Sequence, residues 1–217
     1  MSRNKNPQET IDKILNAAAR LFADKGYENT SIRDIQDQLG GLTKGAIFHH
    51  FKSKEEIIHA VLDRQFEQYD AGWMKLLQEN KELSGLQKLR EMFLASLKSP
   101  WQSEKYQQAP NLLDSPMMLA MQLKSIKEEA AVEWIEPIIK EGIADGSIQT
   151  EFPKELAEVI LLLLNIWVTP AVFTGDREEI QQRVVFFRHL TKELGVDFVN
   201  EEFAEGIVNL TEMYQHK

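Results

Sequence analysis

Apolar residues recur at helical spacing along almost the whole chain, and the alternation typical of β-strands never persists. The first stripe begins at Thr10 and follows the i, i+3, i+4, i+7 pattern of an amphipathic helix through Ile11, Ile14, Leu15, Ala18, Leu21 and Phe22. Gly26 comes next, where a glycine in the left-handed conformation commonly ends a helix. The pattern predicts an all-α protein that opens with an amphipathic helix.

Two shorter helices are predicted after this first one. Ser31 and Asp34 have the spacing of a capping box, in which each side chain accepts a hydrogen bond from the other residue's backbone. The glycines at 40 and 41 end this second helix, and Thr43 is placed to cap a third helix over about 44–50. A helix, a glycine-containing turn and a second helix form the helix-turn-helix arrangement.

Longer helices are predicted for the remainder of the chain. Ser53 and Glu56 have capping-box spacing and predict a helix that continues to about Gln78. Pro137 falls inside the longest predicted helix and either kinks or divides it. The predicted ranges are 85–98, 116–144, 153–174, 176–194 and 200–215, and Asp176 and Asn200 are predicted to cap the last two helices. We therefore expect two helical domains, a three-helix helix-turn-helix domain over 8–64 and a larger helical domain over 65–217.

The richest apolar run, "LAEVILLLLNIWVTPAVF" at 156–173, is too short and too often interrupted by polar residues to span a membrane. A helix that is apolar on most sides is packed by protein on two faces. We therefore expect a homodimer through helices at 155–174 and 177–194, which pair with their copies as a four-helix bundle. The companion helix contributes Val184, Val185, Phe187 and Leu190, and the final helix from Asn200 is the competing candidate.

Charge is distributed unevenly along the chain. The net charge is -9, but residues 1–64 carry ten Lys/Arg and nine Asp/Glu, whereas the other 153 residues carry 15 and 25. A polyanion is therefore expected to meet the N-terminal part. The absence of cysteine excludes disulfides and thiolate metal sites, and no signal peptide is recognisable at the start, so we expect a cytoplasmic protein.

The stretch "LTKGAIFHHFKSKEEI" at 42–57 has the chemistry of a DNA-reading segment. Small side chains at Gly45 and Ala46 let the backbone approach the major groove, Lys44 can donate to guanine, and Ala46 can touch a thymine methyl. Lys52 and Lys54 suit phosphates. The face predicted to point outward carries Thr43, Lys44, Gly45, Ala46, Phe48 and His49.

The segment "TSIRDIQDQLGGLTKGAIFHHFKSKEEI", together with "ILNAAARLFADKGYENTS" before it, resembles the N-terminal motif of the tetracycline-repressor (TetR) family of transcriptional regulators. The resemblance covers residues 8 to about 64 and implies operator DNA as the partner. The rest of the chain matches the family in layout only, which implies that 65–217 is a helical ligand-binding and dimerisation domain. The resemblance also implies contacts from Arg33, from the six residues just named, and from His50 and Lys54. Two departures stand out: Phe48 replaces the usual tyrosine, and the turn "GGLT" carries one residue more than the common form.

The C-terminal part contains aromatic and methionine side chains that suit an adaptable pocket for an unknown small-molecule effector. These candidate ligand-binding residues are Phe66, Tyr69, Trp73, Trp101, Met117, Met121, Trp134 and Trp167. Ordinary core packing is the alternative for each of them. An effector near Phe66, Tyr69 and Trp73 is expected to tilt the helix that begins at Lys54 and so change the spacing of the two DNA-reading helices.

Other functions fit the sequence less well. A metal site at His49 and His50 is disfavoured because neighbouring side chains on a helix point about 100° apart and no HExxH spacing is present. Neither a glycine-rich phosphate loop nor a serine elbow is found, so we expect no enzyme and no cofactor. The expected function is a repressor that binds a palindromic operator as a dimer and is released by its effector. An activator, a helical scaffold without DNA binding and, less favoured, an enzyme are the alternatives.

Overall fold

The computed structural model describes residues 7–41, 43–64, 82–98, 112–170 and 172–215. In these ranges the regular elements are all helical, and none is a strand. The predicted all-α class is therefore confirmed. The chain divides into two compact units, Met1–Ala71 and Gly72–Lys217. We call the described residues of the first unit, 7–64, the head, and those of the second, 82–215, the body.

Four helices build the head. They are α1 (Pro7–Lys25), α2 (Ile32–Gln38), α3 (Lys44–His50) and α4, which covers 54–64. Helix α1 begins earlier than the predicted Thr10, because Pro7 can occupy the first turn, where no hydrogen-bonded amide is required. The predicted continuation of α4 to Gln78 lies outside the described residues.

One isoleucine from each helix forms the centre of the head. Ile14, Ile35, Ile47 and Ile57 are all completely buried. Helices of seven residues, such as α2 and α3, are too short to be stable alone in water, so their stability comes from this shared apolar contact. The core thereby fixes which faces of α2 and α3 remain exposed.

The end of α1 is stabilised by polar groups. Gly26 has φ +80°, as predicted for a left-handed C-terminal cap. The buried hydroxyl of Thr30 donates to the carbonyls of Leu21 and Gly26, at 3.1 Å and 2.8 Å. These bonds tie Thr30 to the last turn of α1 and to the glycine that follows it, and they direct the chain into α2.

The body consists of longer helical segments joined by short connections. Its elements are α5 (Gly85–Lys98), a short 3-10 turn (Leu112–Asp114), α6 (Pro116–Ser125), a π-helical segment (Ile126–Ile135), α7 (Glu136–Ala144), α8 (Pro153–Leu162), a second π-helical segment (Leu163–Val168), α9 (Arg177–Glu193) and α10 (Glu201–Gln215). Asp176 caps α9 with a capping box, and the side chain of Asn200 accepts from the amide of Phe203, both as predicted.

Pro137 divides the longest helix by changing its hydrogen-bond register. Proline has no amide hydrogen and its ring clashes with the carbonyl four residues earlier. The preceding segment is π-helical, and the Glu136 amide donates to the carbonyl of Ala131, five residues back. Pro137 then occupies the first turn of α7, where a missing amide costs little.

The predicted apolar helix at 153–174 ends earlier than expected. Its last helical residue is Val168, because Thr169 is extended (ψ 152°) ahead of Pro170. A residue before proline is driven out of the helical region by contact with the proline ring. Among the described residues, none of the helices is both long enough and apolar enough to cross a membrane.

Aromatic rings from four parts of the body meet in its core. The ring centroid of Phe198 lies 5.0 Å from that of Phe93, 5.9 Å from that of Phe187 and 5.6 Å from that of Phe203. These rings belong to α5, α9, the following connection and α10, and they join one apolar cluster with α8. Packing of this kind is specified by residues far apart in the sequence.

Two glycines allow backbones in the body to touch. A Cβ atom at Gly85 would lie 2.2 Å from the amide nitrogen of Gly142, so α5 and α7 cross without room for a side chain. A Cβ atom at Gly195 would lie 1.9 Å from the carbonyl oxygen of Gln149, and Gly195 also has φ +79°. Both positions therefore require glycine.

Candidate DNA-binding site

Helix α2 begins in a reciprocal capping box. The Asp34 amide donates to Ser31 Oγ at 3.1 Å, and the Ser31 amide donates to the Asp34 carboxylate at 2.8 Å. Lys25, the last residue of α1, forms an ion pair with Asp34 at 3.2 Å. Hydrogen bonds from the Ser31 hydroxyl and amide, followed by the one from Lys25, hold the pKa of Asp34 well below its usual range. These contacts fix the angle at which α2 leaves α1.

The turn before α3 uses two glycines in conformations that other residues rarely adopt. Gly40 has φ +53° and Gly41 has φ +134°, and the space around both is open. Thr43 then caps α3, because its Oγ1 accepts from the Ala46 amide at 3.2 Å. The predicted helix-turn-helix, with its cap at Thr43, is confirmed in this geometry.

One face of α3 packs inward and the other is open. Ile47 and the following Phe51 are buried, as predicted. On the opposite face Thr43, Lys44, Gly45 and His49 are exposed, Ala46 is half-buried, and Phe48 is 41% exposed although it is apolar. The structure therefore brings all six residues predicted for the outward face of the recognition helix onto one surface.

This surface combines a cation, aromatic rings and small side chains. The Lys44 ammonium lies 5.6 Å from the centroid of the Phe48 ring, and the rings of His49 and His50 meet edge to face with centroids 5.1 Å apart. A lysine whose ammonium packs over an aromatic ring still has N–H donors available to a base edge. Imidazole nitrogens can hydrogen-bond with a phosphate or a base. The arrangement suits a nucleic-acid groove.

The other predicted contact residues differ in exposure. Arg33 on α2 and Lys52 after α3 are exposed, so both are open to a phosphate. His50 is half-buried at the end of α3, which is compatible with packing and with phosphate contact alike. Among the described residues, no group of three or more His, Asp and Glu side chains is arranged to hold a metal ion.

Lys54 has a partner inside the head. Its ammonium donates to the carbonyl of Tyr27 at 2.8 Å and lies 4.2 Å from the centroid of that ring, with the carbonyl of Glu28 at 3.4 Å. Burial, followed by the charges of Glu55 and Glu28, raises the pKa of Tyr27. Sequence reasoning missed this link because 27 residues separate the two side chains. Lys54 thus ties α4 to the end of α1, and this contact competes with the predicted phosphate contact.

The start of α4 is already occupied by a carboxylate. Ser53 Oγ accepts from the Glu56 amide at 3.1 Å, which confirms the predicted cap. The Glu56 carboxylate, however, accepts from the amide of Lys52 at 2.5 Å rather than from that of Ser53. A phosphate approaching this end of α4 would meet that negative charge, which leaves the exposed Lys52 side chain as the better phosphate contact here.

In the body, an exposed apolar face lies on the two helices predicted for dimerisation. Val185 and Phe186 on α9 are 52% and 57% exposed, and Phe186 packs edge to face on Trp167 with ring centroids 5.7 Å apart. Val159 and Leu162 on α8 are also exposed. We call these four residues with Trp167 the α8–α9 face.

The predicted companion residues on α9 need a correction. Val184 and Phe187 are buried in the body's own core, so they are not available to a partner, and Leu190 is half-buried. The buried stripe Ile180, Val184, Phe187 and Thr191 has regular helical spacing. That spacing was the sequence signal that places Val185 and Phe186 on the outer side.

The predicted effector residues lie in different surroundings. Met121 is buried, Met117 is half-buried, and Trp134 and Trp167 are half-buried against the core cluster. Phe66, Tyr69, Trp73 and Trp101 lie outside the described residues. A cleft between α5 and α10 and an open groove at the start of α9 are lined by other residues. The effector pocket therefore stays a prediction.

Comparison with known proteins places the head in one family. The family model described as bacterial regulatory proteins of the tetR family matches residues 14–61. The HTH-type transcriptional repressor KstR2 of Mycolicibacterium smegmatis is 34% identical over 155 residues, which cover 69% of this chain and 73% of that protein. The A-factor receptor protein of Streptomyces griseus is 40% identical over 65 residues, or 30% of this chain and 23% of that protein.

Solved structures share the fold over most of the chain. A TetR-family transcriptional regulator from Pectobacterium atrosepticum has a TM-score of 0.58 at 24% identity, covering 90% of this chain and 98% of that one. A gamma-butyrolactone receptor described as ArpA-like has a TM-score of 0.51 at 18% identity, covering 97% of this chain and 99% of that one. At these identities the likeness concerns the fold.

Proposed function

The chain belongs to the tetR family of bacterial regulatory proteins and is a DNA-binding transcriptional regulator, and from this premise we propose that it is a repressor whose dimer binds a two-fold symmetric operator and releases it when a small molecule binds the body. The observation that carries the proposal is the open face of α3. The repressor named among its relatives supports the direction of regulation.

We propose that α3 enters the major groove and that its exposed residues read base edges. Lys44 donates to guanine, and the small side chains of Gly45 and Ala46 let the helix approach closely. Thr43, Phe48, His49 and His50 line the same surface, and Arg33 and Lys52 bind phosphates on either side. Lys54 acts mainly by fixing α4 to Tyr27 and takes part in phosphate binding only secondarily.

We propose that the α8–α9 face forms the dimer. Exposed Val185 and Phe186 would each lose water contact against the same residues of a second copy, as a two-fold interface requires. For both heads of a dimer to read one two-fold operator, the two recognition helices must lie about 34–36 Å apart, one helical turn of DNA. The final helix, α10, remains the competing candidate, although its described apolar residues Phe203, Ile207, Val208 and Leu210 are buried in the body.

Sedimentation of three proteins tests the interface. The wild-type protein should sediment at about twice 25.0 kDa at micromolar concentration. Phe186→Glu should give a monomer, because it buries a charge at the interface. Phe152→Glu is the matched control, since Phe152 is 62% exposed and lies outside this face. A dimeric Phe186→Glu protein would show that another surface makes the contact.

Gel-shift measurements test the DNA part. Duplexes selected from a random pool by the dimer should contain a two-fold symmetric site, and binding should weaken steeply as salt rises. A helical scaffold without DNA binding predicts no shift at any salt concentration. An activator shifts the same DNA but increases transcription in a reporter assay, where a repressor decreases it. Steady turnover of a substrate would be needed to support the enzyme alternative.

The effector part rests on linkage between two sites. A ligand that weakens operator binding by a given factor must itself bind more weakly by the same factor when the operator is present. The S. griseus relative is named a receptor protein, which is in line with a ligand-responsive regulator, and its match covers 65 residues of this chain. Once a ligand is found by thermal shift, its titration with and without operator shows whether ligand binding and operator binding are coupled. Equal ligand affinities in the two titrations would remove the ligand-release step and leave the DNA-binding function intact.

A further inference from the structure

A cleft of about 150 Å³ lies between the C-terminal end of α5 and the middle of α10. Its floor is apolar and its rim is polar. The lining residues are Leu94, Leu97, Lys98, Glu202, Gly206, Asn209 and Leu210. None of them belongs to the predicted effector residues or to the α8–α9 face. An apolar cavity of this volume is large enough for a benzene-sized ring.

Gly206 keeps the cleft open. A Cβ atom there would meet only Leu97 Cδ1, at 2.9 Å, with the next atoms at 3.7 Å and beyond. At Gly85, by contrast, a Cβ atom would meet backbone at 2.2 Å. The backbone packing of α10 therefore does not require glycine at 206, since the flexible end of Leu97 can move. A glycine inside a helix lowers helix stability, and here the space that its side chain would take is partly filled by Leu97 Cδ1 and otherwise left to the cleft.

The rim favours a neutral ligand. Lys98 Nζ and Glu202 Oε1 form an exposed ion pair at 2.6 Å, and the charge of Glu91 also acts on Lys98. Within the lining, one ammonium and one carboxylate neutralise each other, so a charged ligand would have to separate this pair. The exposed amide of Asn209 makes no hydrogen bond with another described residue and can donate to or accept from a ligand.

From the floor, the volume and the rim we propose that the α5–α10 cleft binds a neutral single-ring molecule with one hydrogen-bonding group, a phenol-class ligand. The ring fills the space beside Gly206 against Leu94 and Leu210. The hydroxyl group exchanges hydrogen bonds with Asn209 and Glu202. The proposal concerns binding at the body and does not depend on the DNA-binding proposal.

Titration of the full-length protein with phenol, followed by leucine methyl NMR, tests the site. Saturable shifts are expected at the methyl groups of Leu94, Leu97 and Leu210, with a dissociation constant on the order of 1 mM for a ligand of this size. Benzoate should bind more weakly, because its carboxylate would have to displace Glu202 from Lys98. Shifts at other leucines only, or equal affinity for benzoate, would overturn the proposal.

Two variants and a control complete the experiment. Gly206→Val fills the cleft and should abolish the saturable shifts, whereas Glu205→Val places the same side chain on the same helix outside the lining and should leave them unchanged. Asn209→Ala changes a surface residue and should weaken phenol binding about three- to tenfold through one lost hydrogen bond. This variant tests the site if Gly206→Val fails to fold. Unchanged phenol affinity in the folded variants would show that the ring binds elsewhere. A protein that still shifts operator DNA but binds no phenol keeps the proposed function and loses this site.

Discussion

The head and the body are held together in different ways. In the head, each of α2, α3 and α4 begins with a hydroxyl that accepts a hydrogen bond from an amide three residues later, at Ser31, Thr43 and Ser53. In the body, the decisive contacts join distant residues, such as Gly85 with Gly142. The head therefore displays functional side chains on locally defined helices, whereas the body depends on its long-range packing. Changes on the head's surface should alter binding, and changes in the body's interior should alter folding.

The largest effect is expected where two backbones of the body touch. Gly195→Ala should cost about 1–2 kcal/mol for the left-handed conformation and about 1–3 kcal/mol more for the contact with the Gln149 carbonyl. Gly146→Ala is a close control, because Gly146 has the same φ of +79° in open space. Urea denaturation measures both. Equal losses of unfolding free energy in the two variants would mean that the connection at 149 moves aside. Long-range packing would then contribute little to the stability of the body at this point.

On the head's surface, Lys44→Ala should change binding and leave folding intact. We expect operator affinity to fall by about 1–3 kcal/mol with a loss of base preference, as for a base-edge contact. Lys52→Ala should weaken binding evenly across sequences and lower the salt slope by about one. Fluorescence anisotropy with operator and scrambled duplexes measures both. If Lys44→Ala keeps its base preference, α3 is not the reading helix.

Lys54 makes a long-range contact within the head, where most of the contacts described are local. Its substitution therefore tests whether a long-range contact also stabilises the head. Lys54→Met keeps the apolar stem but removes the bond to the Tyr27 carbonyl and the charge over its ring, and should lower the free energy of unfolding by about 1–2 kcal/mol. Lys52→Met, at an exposed position, should leave it within about 0.5 kcal/mol. Thermal unfolding distinguishes them. A stable Lys54→Met protein with weak DNA binding would indicate that Lys54 mainly contacts a DNA phosphate, as the sequence predicts.

A smaller effect is expected from the cap of α3. Thr43→Ala removes the acceptor for the Ala46 amide and should cost about 1 kcal/mol of stability, while Thr43→Ser keeps a hydroxyl there and should recover most of it. Operator affinity should follow the same order, since a frayed α3 must be reordered on DNA. Denaturation and anisotropy on the same three proteins check both effects. Loss of affinity in both variants alike would indicate that the threonine methyl group contacts DNA.

The smallest effect concerns the pH dependence of the head. The lowered pKa of Asp34 means that its contribution to stability is present above the ordinary aspartate value of about 3.9 and is lost as pH falls through the folded value. Ser31→Ala removes the largest cause of that shift, so the pKa of Asp34 should rise towards the ordinary value. Carboxyl NMR titration reads it directly. An unchanged pKa would assign the shift to Lys25 instead.

The sequence was sufficient wherever the signal and its effect lie within a few residues. The caps at Ser31, Thr43, Asp176 and Asn200 were all predicted, because a side chain and the amide it caps are three residues apart. The outward face of α3 was predictable for the same reason, since one turn of helix determines it. The predicted repertoire of helices and their order were therefore confirmed almost throughout.

Features that depend on tertiary packing were missed. The sequence places Lys54 among basic residues suited to phosphate, and only the folded head brings it to Tyr27. It also gives no indication that Gly85 meets Gly142, or that Pro137 shifts its helix into a π register instead of bending it. In each case the decisive neighbour is distant in sequence or depends on the rest of the core. The effector-pocket residues were the hardest to predict from sequence, because methionine and tryptophan fill cores and pockets equally well.

The π-helical segment before Pro137 also bears on how this chain tolerates insertions and deletions. Deleting one residue from an α-helix turns everything after it by about 100° and moves its apolar face out of the core. Over Ile126–Ile135 the bonds run five residues back, as at Glu136 and Ala131, so each turn holds more residues than an α-helical turn would. A chain one residue shorter there can return to the four-residue bond and keep α7 facing the same way. This stretch is a place where length can change during evolution while the register of the body is preserved.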